Sequence, residues 1–132
     1  MNQAQVHQLW ERARSRCEYC RIPHSNYRLP FQVDHIIARQ HGGATTIDNL
    51  GLACLHCNRH KGPNISGWDA GSGQVVRLFN PRTDRWEVHF QFDGARLKGK
   101  TAIGRVTVHV LAMNADDLLL LRVELLREGV TF

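Results

Sequence analysis

The chain has 132 residues, of which 42% are hydrophobic and 22% charged, and its formal net charge is +5. That length favours one domain, or one core with an appendage, and the longest apolar run, residues 118–121, is far short of the roughly 20 residues a membrane-spanning helix needs. The basic excess lies in residues 1–63, with eight Lys/Arg against four Asp/Glu, while residues 64–132 carry nine against eight; a positive N-terminal half suits an anionic partner such as nucleic acid.

The first residues form no apolar run of the kind a secretory leader needs, so an intracellular, cytoplasmic protein is expected. Residues 3–14 set Val6, Leu9, Trp10 and Ala13 at helical spacing and predict an amphipathic helix. It leads into Cys17-Glu-Tyr-Cys20. Residues 22–30, with two prolines, read as loop, and residues 31–34 alternate as a short strand. The run from His41 through Gly42 and Gly43 to Thr46 reads as a turn. Residues 49–53 return as a second strand that ends at Cys54-Leu-His-Cys57. Residues 55–61 suit a short helix, broken by Gly62-Pro63.

Residues 64–74 read as a linker or long turn. Residues 75–79 and 86–92 are expected to pair as a hairpin across Pro81-Arg-Thr-Asp84, with Asp93-Gly94 as a second turn and 95–98 as a third strand. In that reading His89 alternates on a strand, sharing a face with Glu87 and Gln91. Thr101 is a candidate cap for a helix over 102–113, although the β-branched run 105–110 weighs against it. Asn114 or Asp116 is a candidate cap for a last helix, with Gly129 as its stop. Two units are expected, 1–62 and 63–132, the second packed on the first.

All four cysteines fall in two Cys-x-x-Cys pairs, Cys17/Cys20 and Cys54/Cys57. Two such knuckles complete a tetrahedral four-sulfur site, the usual closed site of a structural zinc ion. The alternatives are two disulfides or a redox-active pair. The first is disfavoured by the missing leader, and the second leaves one pair unexplained. His24 and His56 flank the knuckles and, with four cysteines present, are expected at the surface. A bound metal also accounts for how so small a unit could fold, because metal binding contributes folding energy directly.

Between and around the knuckles stand Asp34-His35 at a strand end, Gly42-Gly43, Asn49-Leu50 before the second strand, and Cys54-x-x-Cys57-Asn58-x-x-Lys61-Gly62. Residues 17–62 with these features resemble the HNH endonuclease family, in its four-cysteine, His-Asn-Asn form. The resemblance implies an α+β fold: a zinc-pinned ββα-metal core, here with an N-terminal helix and a C-terminal β-hairpin plus helices. It implies a metal-dependent DNA endonuclease that hydrolyses phosphodiester bonds, nicking as a monomer. His35 resembles the general base; a neutral imidazole can take a proton from water. Asp34 and Asn58 resemble the ligands of a catalytic divalent cation. Hard oxygen donors suit Mg²⁺ or Mn²⁺, and such an ion can stabilise the leaving oxygen. Asn49 resembles the residue whose amide pins the loop and orients the His.

His60 is the rival to Asn58, but positions 58 and 60 lie about 200° apart on a helix, and the motif register selects Asn58. Arg39, His41, Arg59 and Lys61 flank the motif as candidate phosphate contacts on DNA, with a solvated surface charge as the plain alternative for each. The motif implies that Asp34→Ala or Asn58→Ala weakens cation binding and leaves the fold intact. Residues 63–132 resemble an extension seen in small stand-alone HNH proteins, with no chemistry attached. Trp68 and Trp86 are read as core or hairpin cover, and Arg77, Arg82 and Arg85 as a possible continuation of a phosphate-binding surface. A second function class stays open: a zinc-stabilised nucleic-acid-binding adaptor without catalysis. A third is a structural zinc protein that docks a partner through its C-terminal half.

Overall fold

The computed structural model describes residues 1–132. Helix α1 (Gln3–Ala13) starts at a reciprocal capping box: the Gln5 N–H donates to Asn2 Oδ1 at 2.9 Å and the Asn2 N–H to Gln5 Oε1 at 3.0 Å. Two of the donors that a helix start leaves free are thereby satisfied. The helix stops where Arg14 and Ser15 turn left-handed, at φ of +55° and +54°. Its buried residues are Leu9 and Ala13, and Trp10 stacks on Phe31 with ring centroids 5.9 Å apart.

Strands β1 (Gln32–His35) and β2 (Leu50–Ala53) pair antiparallel, Asp34 opposite Gly51 and His35 opposite Leu50. All of β2 is buried, whereas β1 alternates, with Asp34 buried between the exposed Val33 and the half-buried His35. Helix α2 (Leu55–Lys61) follows at once and packs on both strands. Its N-cap is a knuckle cysteine: Cys54 Sγ accepts the Cys57 N–H at 3.4 Å. The strand, loop, strand, helix order of the N-terminal half is the expected one.

The C-terminal half departs from expectation in several places. Residues 64–74 are no linker, because β3 (Ser66–Asp69) pairs with β4 (Gln74–Arg77). The glycines that suggested looseness have packing reasons. A Cβ on Gly67 would lie 2.6 Å from a Val110 methyl and 2.7 Å from one of Val106, and Gly73 turns the chain at φ +67°. Strand β4 therefore has its partner behind it in sequence, and the hairpin expected between 75–79 and 86–92 does not form. Asp84 instead closes the loop after β4 on itself, accepting the Asn80 N–H at 2.8 Å and the Arg77 guanidinium at 2.7 and 2.9 Å. Trp86–His89 coils into a single helical turn, α3, so His89 does not alternate on a strand; its Nδ1 bonds Thr101 Oγ1 at 2.7 Å.

The hairpin of this region is β5 (Phe90–Asp93) with β6 (Arg96–Gly99), turning at Gly94, φ +60°. Helix α4 (Ala102–Val110) is capped by Thr101, whose Oγ1 accepts the Gly104 N–H at 3.0 Å, and ends short of Met113. Helix α5 (Asp116–Arg127) has Ala115 at its cap position, not Asn114 or Asp116. The Asn114 amide is occupied elsewhere, bridging the Leu97 N–H and C=O at 2.8 Å each. Asp116 and Asp117 in the first turn favour the helix dipole instead.

The α+β fold has one continuous apolar core. It joins Tyr19, Leu52 and all four cysteines to Phe79, Phe90, Met113, Leu118 and Leu125, so the two halves share one interior. No helix is long and apolar enough to cross a membrane.

Candidate active site

The four cysteines converge from two turns. Their Sγ atoms all lie within 4.8 Å of one another, and the Cys20 and Cys54 sulfurs are 3.7 Å apart. Zinc–sulfur bonds of ~2.3 Å imply a tetrahedral edge of ~3.8 Å, so the cluster has the size of a zinc site. Disulfide sulfurs would lie ~2.05 Å apart, and all four thiols are free and fully buried. Within each knuckle a backbone N–H already faces a sulfur, Cys20 N to Cys17 Sγ at 3.5 Å and Cys57 N to Cys54 Sγ at 3.4 Å. Such donors favour thiolates. Burial opposes ionisation at Cys17, yet hydrogen bonds from Cys20, Cys54 and Cys57 outweigh it and hold that thiol well below its ordinary range.

His56, expected at the surface, is buried. Its Nε2 reaches Leu111 O at 3.1 Å and Ala112 O at 2.9 Å, so it joins the second knuckle to the C-terminal half. His24 is exposed and rests edge-on against Trp10 and Phe31.

On β1 the strand alternation separates Asp34 from His35. Asp34 points inward and is 4% exposed. Its Oδ2 accepts the Tyr19 hydroxyl at 2.6 Å, and its Oδ1 accepts the Lys61 ammonium at 3.2 Å. Burial pushes the Asp34 carboxyl above its ordinary range, against the opposing pull of Lys61 and Tyr19. Burial and the Asp34 charge together push the Tyr19 hydroxyl well up.

His35 faces the other way. Its Nε2 lies 2.9 Å from Thr45 Oγ1 in the loop between the strands. Lys61 spans the two sides, because its ammonium also donates to the His35 carbonyl at 3.1 Å. Lys61 is 1% exposed. The surface phosphate contact expected of it is therefore not available: its charge is taken up by an interior carboxylate.

Asn49 clasps the loop after His35. Its Oδ1 accepts the Ile37 N–H at 3.0 Å, and its Nδ2 donates to Ile37 O at 3.0 Å and Ala44 O at 2.8 Å. Gly43 lets the loop close this tightly, since a Cβ there would lie 1.7 Å from Ile37 O.

Asn58 is half-buried on α2, one turn before Lys61. Residues three apart share a helix face, so the contact of Lys61 with Asp34 turns the Asn58 face toward β1. His60 is turned away: its Nδ1 bonds His56 O at 2.8 Å and its ring stacks on that of His56.

Residues 17–64 match the HNH endonuclease family. No curated protein and no solved structure matches the chain. The HNH segment thus comprises both knuckles, β1, the clasped loop, β2 and α2, which is the part of the chain that holds every candidate named from the motif.

Around the HNH segment, Arg39, His41 and Arg59 are exposed. Arg77 and Arg82 are paired with Asp84 and Glu18, Arg82 largely out of solvent and Arg77 still half exposed. Trp86 is half-buried against Phe90 and Phe92 with Arg21 over its ring, whereas Trp68 is 60% exposed and covers no core. A cleft of about 400 Å³ is lined by Arg12, Arg16, Arg21 and Trp86 and reaches Cys17 of the first knuckle, but it touches none of Asp34, His35, Asn49 and Asn58. Two members of the site escaped the sequence reading. Tyr19 lay hidden between two zinc ligands. Thr45 sat in a turn whose composition gave no hint of a partner for His35.

Proposed function

We propose that the chain is a metal-dependent DNA endonuclease that hydrolyses phosphodiester bonds, nicking as a monomer. With Nε2–H donating to Thr45, the Nδ1 lone pair of His35 takes the proton from the attacking water. Asn49 keeps the His35 loop in one shape, so the imidazole arrives oriented.

Asp34 and Asn58 fit a hard divalent cation, Mg²⁺ or Mn²⁺, because both offer oxygen donors from facing elements. Such an ion supplies electrostatic stabilisation of the leaving oxygen. A carboxylate has about four acceptor positions, and Tyr19 and Lys61 occupy two at Asp34. Structural Zn²⁺ on Cys17, Cys20, Cys54 and Cys57 holds the scaffold. Arg39, His41 and Arg59 carry phosphates of the DNA.

The reading is carried by the half-buried His35 at the end of β1, where the chain enters the loop that Asn49 clasps, inside the segment matching HNH endonucleases. The test is nicking of supercoiled plasmid in Mg²⁺ or Mn²⁺. His35→Ala should lower the rate about 10²- to 10⁴-fold, the usual contribution of a positioned base. Nicking that survives the substitution removes the proposed base. One observation favours the adaptor reading: both oxygens of Asp34 are already bonded inside the protein. DNA binding without cleavage in either metal would select it.

A further inference from the structure

Arg122 on α5 is fully buried. Its Nε donates to Ala95 O at 2.6 Å, and its Nη2 donates to Met113 O at 2.7 Å and to Asn114 Oδ1 at 2.9 Å. All three acceptors are neutral. Its Nη1 is buried with no partner at all. A guanidinium does not give up its proton in a protein, so this is a buried cation without a carboxylate. The other deeply buried cations differ: Lys61 faces Asp34, and Arg82 faces Glu18. An uncompensated interior charge is strongly disfavoured. An anion is therefore required nearby.

Met113, whose carbonyl accepts from Arg122, packs in the same buried core as the four cysteines. Burial works against the Arg122 charge, as does Arg96, and the sulfurs of Cys20, Cys57 and Cys54 favour it. Four thiolates around Zn²⁺ carry a net charge of −2, in a cluster that is itself fully buried. Each side thus lacks the charge that the other has in excess. The segment between α4 and α5 is held between them: His56, between the ligands Cys54 and Cys57, bonds its carbonyls at Leu111 and Ala112, and Arg122 bonds it at Met113 and Asn114.

We propose that Arg122 is the built-in counter-cation of the zinc–thiolate cluster, and that it makes the docking of α5 depend on the loaded metal. The inference rests on zinc at the four cysteines and is independent of the nuclease reading. Only the metal gives the cluster its full negative charge, so only the loaded site offsets the guanidinium completely. Outer-shell partners of metal ligands commonly tune affinity.

The experiment compares zinc-loaded wild type with Arg122→Met, Arg122→Lys and Leu125→Ala. The last removes apolar packing from the same helix and leaves the charge. Zinc affinity is read by competition with a chromophoric chelator, and the sulfur-to-metal charge-transfer band by Co²⁺ substitution. Arg122→Met should bind zinc about 10- to 100-fold more weakly and move the band to lower energy, since the sulfurs lose a stabilising positive field. Arg122→Lys should recover part of both. Leu125→Ala should leave the band in place. Wild-type affinity and band in Arg122→Met would overturn the proposal. So would weakened affinity with an unmoved band, because lost packing then accounts for it. Should Arg122→Met not yield folded protein, Arg122→Gln against Arg122→Lys decides, and equal affinities overturn the proposal. A wild type that retains no zinc removes the zinc reading itself.

Discussion

Lys61 was expected at the surface, and its burial gives a sharp prediction. Lys61→Met keeps the aliphatic stem and deletes the charge. Asp34 then retains only the Tyr19 hydroxyl inside a site that is 4% exposed. The His35 carbonyl loses its donor as well. Removing one partner of a buried ion pair typically costs about 3–5 kcal/mol. In a chain of this length 1 kcal/mol corresponds to about 3–5 °C in Tm, so a loss of about 10–20 °C is expected.

The assay is urea unfolding in zinc-containing buffer, followed by tryptophan fluorescence. Asp34→Asn/Lys61→Met should be less destabilised than the sum of its single variants, by about 0.5–3 kcal/mol of coupling. A Lys61→Met loss below about 1 kcal/mol, within the range of exposed pairs, would mean a solvated ammonium and would refute the network. The same geometry revises Asp34→Ala. The motif implied a loss of cation binding alone, but the substitution strands Lys61 in the interior and should destabilise the fold too.

Gly43→Ala should act on the loop. The new Cβ would meet Ile37 O at 1.7 Å, so the Asn49 clasp must open and His35 must shift. A displacement of about 1 Å can cost on the order of 10²-fold in rate; nicking should fall by that order with zinc content unchanged, and full activity would show that the clasp does not orient His35. Acid should weaken the C-terminal half. Hydrogen bonds from Arg105 and Ser72 hold the Asp69 carboxyl well below its usual range, and Arg77 does the same at Asp84. A depressed folded-state pKa contributes stability that is fully present above the unfolded value of about 3.9 and is lost as pH falls through the folded one. Urea midpoints should therefore drop below about pH 4, less steeply in Asp69→Asn than in wild type; parallel curves would remove the pair as the cause.

Where local rules were decisive, the sequence was legible. The two Cys-x-x-Cys pairs announced a four-sulfur cluster because two residues between thiols leave few other geometries. The short helix over 55–61 followed from a knuckle at one end and Gly62-Pro63 at the other. The expectation that the Asn49 amide pins a loop rested on resemblance alone, and its three hydrogen bonds now give it a physical basis. The failures share one cause, which is partners distant in the chain. Gly67 looked like linker because nothing local indicates that Val106 and Val110 would come within 3 Å of a Cβ there. Residues 86–89 alternate as well as any strand, but the edge they would have joined belongs to β3. Lys61 and His56 were read as surface and Arg122 drew no reading, although each is buried against groups 9 to 56 positions away.

Those three side chains bear on what residues 65–132 do for the HNH segment. His56 and Arg122 both hold the segment between α4 and α5, one from the knuckle and one from α5, so the C-terminal half is tied to the second knuckle. Lys61, one turn after Asn58, holds α2 against β1 from within. Metal loading would then fix the end of β2, the start of α2 and the position of α5 together. The His35 loop, hydrogen-bonded to Asn49 just before β2, inherits that rigidity. On these contacts the C-terminal half braces the strand–helix frame that carries Asp34, His35 and Asn58.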